Sequence, residues 1–340
     1  MAQPEPLEAV LLTGAGFTKN FEGFLASEMR TFICEKLLKH PALMSIFQYE
    51  LDYELAYTKV VYGHFSDEDK EIVSGAVKAA YARLDDAIRG LTWTNGSPPV
   101  NIYQLKRFLT RFGSGPQQPK GRGYFFTLNH DLFVERWCGI GGGDPLFHLH
   151  GQQRPPLNFH SNPGRPLNGS DLFTVPSPEE MAKIRQNDDL IRNWASHFHY
   201  VKLHGSFNWC SSDGKLAMVI GGKKLEQLRK EPLLSYYLET FEDVLSRQNR
   251  RLCVIGYGFG DNHINSVMAN GIRDHGLKLF TVTAMRDEDL KTQLHEQTPN
   301  GLGGTIWLGI QNFQCGLKEL YPWNGAPTQF ARSLEASLFN

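Results

Sequence analysis

The sequence predicts an α/β fold: a parallel sheet with helices on both faces and a large helical insertion. Three observations predict it. Short apolar runs recur at residues 9–12, 124–128, 200–203, 252–255 and 277–282, the length of buried strands. Much of the sequence between them carries apolar residues at helical spacing. Four of the runs end in turns built from Gly, Asn, Asp or His. Sheets of this kind bind ligands beyond the carboxyl ends of their strands, where the chain direction switches.

Residues 9–12 make the first strand, ending at Thr13-Gly14. Residues 21 to about 89 read as mostly helical. FLASEMRTFICEKLL has helical apolar spacing, and 67–84 repeats it after a cap at Ser66. Residues 95–99 form a turn cluster, 102–112 an amphipathic helix and 113–123 a loop rich in Gly, Pro and Lys. The second strand is 124–128. Residues 139–178 are irregular, and a loop of that length points to a functional or disordered segment; a lid over the site is the expectation. Strands follow at 200–203 and 216–220, a helix at 225–246, strands at 252–255 and 277–282, and a last strand at 305–309. With no internal repeat, residues 1–340 are expected to form one domain. Its helical insertion is at about 24–118 and its irregular insertion at about 139–198.

The 340 residues are 41% hydrophobic, enough for a large core. The net charge of −1 and pI near 6.9 argue against nucleic acid or an anionic membrane as partner. The cluster Lys223, Lys224, Arg229 and Lys230 reads as a solvated helix face. The five cysteines are dispersed and form no CxxC, which argues against a zinc ribbon or a disulfide framework. A reducing, cytoplasmic compartment fits. The first residues have no basic start or apolar stretch of signal-peptide type. No run approaches the ~18 apolar residues needed to span a bilayer.

Four motifs carry chemistry. In VLLTGAGFTKN, Gly14, Ala15 and Gly16 offer a tight turn and close backbone approach to a phosphate, with helix-start N–H groups behind it. Lys19 stands where a dinucleotide fingerprint has its third glycine, so this is not the dehydrogenase pattern. In FFTLNHDLF, Thr127, Asn129 and Asp131 alternate past a strand. Asn129 can hold a ribose hydroxyl or a water, and Asp131 can fix Asn129. In YVKLHGSFNW, His204 has the chemistry of a general base, and Gly205 would let a ligand approach. Its competitor is His150 in LFHLHG, 21 residues beyond Asn129. In VIGYGFGDNHIN, Gly256 and Gly258 make a second nucleotide-type loop, with Asp261 set for ribose hydroxyls or for capping the next helix. The histidines, His263 included, show no HxxxH or HxxE spacing, so no metal site is expected. Each motif alone fits a bland reading: a small-residue turn, an Asx cap, a buried histidine, a helix cap. Four such loops at four strand ends favour a nucleotide site.

GAGFT, TLNHD, KLHG and the loop from Gly256 to Asp261 occur in the order found in the sirtuin family. The set resembles most its zinc-free bacterial branch used in anti-phage defence. The resemblance implies a Rossmann-like domain that binds NAD as substrate, with Asn129 and His204 acting on the nicotinamide ribose and Asp131 positioning Asn129. It places Gly14, Ala15 and Gly16 with Thr18 on the phosphates, and Asn20, Thr127, Gly256, Gly258, Asp261 and Asn265 complete the expected cofactor-binding set. Sirtuin deacetylases carry a four-cysteine zinc module that these cysteines cannot build, and no acidic–arginine element follows Gly23. The implied activity is therefore hydrolysis of NAD to nicotinamide and ADP-ribose. The alternatives are a non-catalytic NAD or ADP-ribose sensor and a zinc-free deacylase. The resemblance also implies a homo-oligomer triggered by a partner, such as a HerA-type ATPase.

Overall fold

The computed structural model describes residues 8–93, 97–113, 123–138, 148–149, 159, 162–187, 198–211, 214–298 and 301–340. The apolar runs become a seven-stranded sheet of β1 (Glu8–Thr13), β2 (Gly123–Thr127), β3 (His148–Leu149), β5 (Phe198–Lys202), β8 (Arg250–Ile255), β9 (Lys278–Thr283) and β10 (Ile310–Gln314). The spatial order is β10-β9-β8-β1-β2-β5-β3, and every neighbouring pair is parallel. β1 and β2 are buried along their whole length, which is why their central residues form unbroken apolar runs.

Strand β1 is the pivot. The chain builds outward from it through β2 and β5, then returns to its other side with β8 and continues to β9 and β10. The crevice between the turns after β1 and β8 is therefore the switch point of the sheet. Register aligns Thr13 with both Thr127 and Ile255, so the three loops that follow start at one level.

The helical expectation for 21–89 resolves into helices Ala26–Lys36, Pro41–Tyr49, Tyr53–Val61 and Asp67–Arg89. Ser66 caps the last one, accepting from the Asp69 N–H, and three acidic residues occupy its first turn. Its inner face is tied by a buried ion pair to the short helix that follows β2. Arg136, on helix Phe133–Trp137, grips Asp85 through Nε at 2.9 Å and Nη2 at 2.7 Å. The same guanidinium donates to the Pro163 and Arg165 carbonyls and lies 4.2 Å from the Phe159 ring centre.

Three expectations need correction. Residues 225–246 form two helices, Lys224–Lys230 and Pro232–Leu245, because Pro232 has no N–H to continue the first and instead starts the second. Residues 305–309 are helical, within Leu302–Gly309; the last strand follows at Ile310–Gln314. Here packing overrides composition, since Gly303 lets the helix sit against the Leu294 carbonyl, which a Cβ would meet at 2.1 Å. The strand expected at 216–220 is β7 (Leu216–Met218), which pairs with β6 (Gly205–Cys210) in a separate three-stranded sheet with β4 (Phe173–Thr174). Of the expected lid, residues 139–147, 150–158 and 160–161 lie outside the described residues, His150 among them. No helix of the described residues is long and apolar enough to cross a membrane.

Candidate functional site

A cavity of about 1390 Å³ opens at the carboxyl ends of β1, β2, β8 and β9. It exceeds the roughly 300–1,000 Å³ of typical small-ligand clefts. Gly14, Ala15, Gly16 and Asn20 line one wall; Gly256, Gly258 and Asp261 line another; Asn129, Asp131 and His204 line the same space. Four motifs spread along the chain from Gly14 to Asp261 thus meet in one site, because the register of the sheet sets their strands side by side.

The glycines have a different task from the one their spacing suggests. Gly14 is extended (φ −124°, ψ −172°), a conformation open to any residue. What forbids a side chain is the facing loop: a Cβ on Gly14 or Gly16 would come within 2.8 Å of Gly256 or Tyr257 backbone. Gly256, at φ +64°, returns the constraint, since its Cβ would stand 2.2 Å from the Phe17 nitrogen. The Gly16 N–H donates to the Gly256 carbonyl at 2.8 Å, the Gly14 N–H to Ile255 at 3.1 Å and the Phe17 N–H to Gly14 at 2.9 Å. This corrects the expectation of a helix start free to cradle phosphate: of the four N–H groups from Gly14 to Phe17, three are already bonded among the described residues, and that of Ala15 is not. Gly205 is similar: at φ +78° its missing Cβ makes room for the Ala217 carbonyl, not for a ligand.

Asn129 is fixed from behind. Its Nδ2 donates to the Gly14 carbonyl at 3.0 Å and to Thr18 Oγ1 at 2.9 Å, and its N–H donates to Thr127 Oγ1 at 3.1 Å. The Thr18 hydroxyl in turn donates to Asp131 Oδ2 at 2.9 Å, while Asp131 Oδ1 accepts from the Phe133 N–H. Asp131 therefore positions Asn129 through Thr18. Among the described residues Asn129 Oδ1 accepts no hydrogen bond, so its acceptor is available to a ligand. Burial raises the Asp131 pKa, against the lowering pull of Lys202. Thr18, Thr127 and Asn265 stand behind the wall rather than on it. Asn265 is fully buried and braces the second loop, donating to the Phe259 carbonyl and Thr298 and accepting from Tyr257.

His204 is buried at the turn after β5, and its Nε2 lies 3.1 Å from His263 Nε2. Two facing nitrogens at that distance share one hydrogen, so one ring donates and the other accepts. Burial pulls the His204 pKa well below its usual value, against Asp261, which raises it. Burial likewise lowers His263 to about 4. Asp261 does not cap the helix Asn262–His275 with its side chain. Its Oδ1 instead accepts from Lys224 at 2.7 Å, and Lys224 also meets Glu54 at 2.6 Å. Burial alone would raise Asp261; the charges of Lys224, His204 and His263 outweigh it and bring it to about 2. Lys224 is thus no solvated cation, a correction to the reading of its cluster, whereas Lys230 does lie on an exposed face with Glu226.

Beneath His204 runs a polar chain that the sequence did not announce. His130 Nε2 meets the His204 carbonyl at 3.1 Å and must carry the hydrogen, since a carbonyl only accepts. Its Nδ1 then accepts from the Tyr81 hydroxyl at 3.0 Å, and Tyr81 accepts from Tyr53 at 3.0 Å. Burial, with the charges of Lys202 and Lys224, lowers His130 to about 3, so the ring stays neutral. Tyr53, Tyr81 and Glu54 all come from the helical insertion, which therefore helps build the site. Only His130 had a visible signal, its place inside TLNHD.

Three groups able to ligate a metal come together in space, although their spacing along the chain gives no sign of it. Ligand atoms of His204, Asp261 and His263 lie within 4.8 Å of one another. Sequence spacing cannot show this, because His204 and His263 stand 59 positions apart along the chain.

A family model described as a SIR2-like domain matches residues 124–298, just over half of the chain. No curated protein matches it.

Proposed function

We propose, from the premise that the chain belongs to the SIR2-like domain family, that it binds NAD in the cavity and hydrolyses the bond between nicotinamide and ribose. SIR2-like domains are generally NAD-dependent enzymes, and the chain's fold and motif order are of that kind. The observation that carries the finer reading is the convergence of Asn129 and His204 on one cavity, with Asn129 held in place and its acceptor unused among the described residues.

The chemistry asks little of the protein. The bond from ribose C1′ to the pyridinium nitrogen breaks, and its electron pair leaves with neutral nicotinamide. Water adds to the oxocarbenium-like carbon and loses one proton, giving ADP-ribose. Asn129 Oδ1 orients the water or a ribose hydroxyl. The His204–His263 pair takes the proton, and the Asp261 carboxylate stabilises the charge it acquires. The glycine loops flank the dinucleotide, with the Ala15 N–H offered to it.

The test is nicotinamide and ADP-ribose release from NAD by wild type, Asn129→Ala and His204→Ala. Loss of release in both variants, with unchanged thermal melting, is expected. Full activity in both overturns the assignment; binding of ADP-ribose without any turnover identifies a sensor instead. Acyl-dependent release identifies a deacylase. A role in anti-phage defence, a homo-oligomeric state and activation by a HerA-type ATPase are parts of the same proposal. They are tested by turnover with and without the protein encoded beside it.

A further inference from the structure

The geometry points to a divalent transition-metal site formed by His204, His263 and Asp261, whose occupation blocks the proposed NAD cleavage. The blocking role rests on the NAD-cleaving reading; the site itself does not.

Two imidazole nitrogens and one carboxylate are a recurrent donor set for first-row divalent ions that keep open positions. Metal–imidazole bonds are about 2.0–2.1 Å, so two of them at a right angle place their nitrogens roughly 3 Å apart. His204 Nε2 and His263 Nε2 are 3.1 Å apart. The carboxylate completes a group spanning no more than 4.8 Å. Lys224 engages Oδ1 of Asp261, which leaves the second oxygen.

Charge supports the same occupant. Glu54 and Asp261 bring two negative charges, and Lys224 returns one positive charge. Around two neutral rings the cluster is one charge negative, and burial makes that excess costly. A divalent ion offsets it. His204 and Asp261 line the cavity, so the remaining coordination positions are open to water. Binding needs both Nε2 lone pairs, so the ring that carried its hydrogen on Nε2 moves it to Nδ1. No proton is lost overall. His204 and His263 can then no longer accept one, and the hydrolytic step stops.

Cobalt(II) is the probe, because its visible absorption reports nitrogen and oxygen ligation directly. Titration of the intact protein is expected to give one bound equivalent. His263→Ala and His263→Gln should each weaken binding at least ~10-fold, with thermal melting confirming that both variants fold. Nicotinamide release should fall in step with occupancy and return on adding EDTA. No bound cobalt, or equal binding by wild type and both His263 variants, overturns the site; the two rings are then only a hydrogen-bonded pair. Tight binding with undiminished nicotinamide release overturns the blocking role and removes His204 from the reaction. Loss of release in His204→Ala without any metal binding leaves the NAD reading standing and sinks only this inference.

Discussion

Thr18 touches no ligand-facing surface, yet the site should depend on its hydroxyl. That oxygen accepts from Asn129 Nδ2 at 2.9 Å and donates to Asp131 Oδ2 at 2.9 Å. Thr18→Val keeps the shape and deletes both bonds. Asp131 Oδ2 then loses this donor in a buried setting, and Asn129 keeps only the Gly14 carbonyl as an Nδ2 partner. An unsatisfied buried group costs about 1–3 kcal/mol, and Asp131 Oδ2 is the one group left so, which makes the expected loss about 1–3 kcal/mol. A loosened Asn129 should lower nicotinamide release about 10- to 100-fold, the scale of an ångström-sized misplacement. Thr18→Ser keeps the hydroxyl and removes one buried methyl, costing about 1 kcal/mol with turnover within about twofold of wild type. The assays are the urea midpoint, which needs no turnover, and nicotinamide release at saturating NAD. Equal stability and equal turnover of the Val and Ser variants would refute the relay from Asp131 through Thr18 to Asn129.

Three more outcomes follow from the same geometry. Gly256→Ala and Gly276→Ala both place a side chain at positive φ, +64° and +70°, but only the first meets backbone atoms, whereas Gly276 has nothing within 4 Å. Gly276→Ala should cost about 1–2 kcal/mol and Gly256→Ala about 3–5; equal urea midpoints would deny the contact between the two loops. Arg136→Met strands the Asp85 carboxylate and should cost about 3–5 kcal/mol, while the double change Asp85→Leu with Arg136→Met should recover much of it; a double variant no more stable than the single would show that the ion pair is not the cause. Stability should fall as pH drops from 7.5 to 5.0. His130 has an unfolded pKa near 6.5 and a folded one of about 3, so the unfolded chain gains a proton that the folded one refuses. Its stabilisation is complete above pH 6.5 and is lost on the way down to pH 3, about 2 kcal/mol of it by pH 5. His130→Gln should flatten that slope in a series of thermal melts, and an unchanged slope would mean that the ring is charged in the fold.

The expected strands correspond to real ones at residues 9–12, 124–128, 200–203, 252–255 and 277–282, because a strand covered on both faces needs an unbroken apolar run, a local property of the chain. The turns were legible for a similar reason, since Gly and Asn mark where a strand stops. Reading failed where tertiary packing outranked local preference. TIWLG at 305–309 has the composition of a strand and folds as the end of a helix, pressed on its neighbour through Gly303. Leu225 to Ser246 has continuous helical spacing, and one proline nitrogen divides it.

For the site, the sequence by itself determined which residue types stand at each strand end: the Gly14 turn, Asn129, Asp131, His204 and the Gly256 loop. Only the tertiary structure decided what they do for one another. It set Gly14 and Gly16 against Gly256 rather than against open space, linked Asp131 to Asn129 through Thr18, joined His204 to His263, and drew Lys224 and Glu54 beneath Asp261. The physical reason is range. A strand or a turn is fixed by neighbours a few residues away, whereas a hydrogen bond, a buried charge or a set of metal ligands is fixed by distance in space. The parallel sheet brings together residues more than a hundred positions apart, and no spacing along the chain records which of them meet.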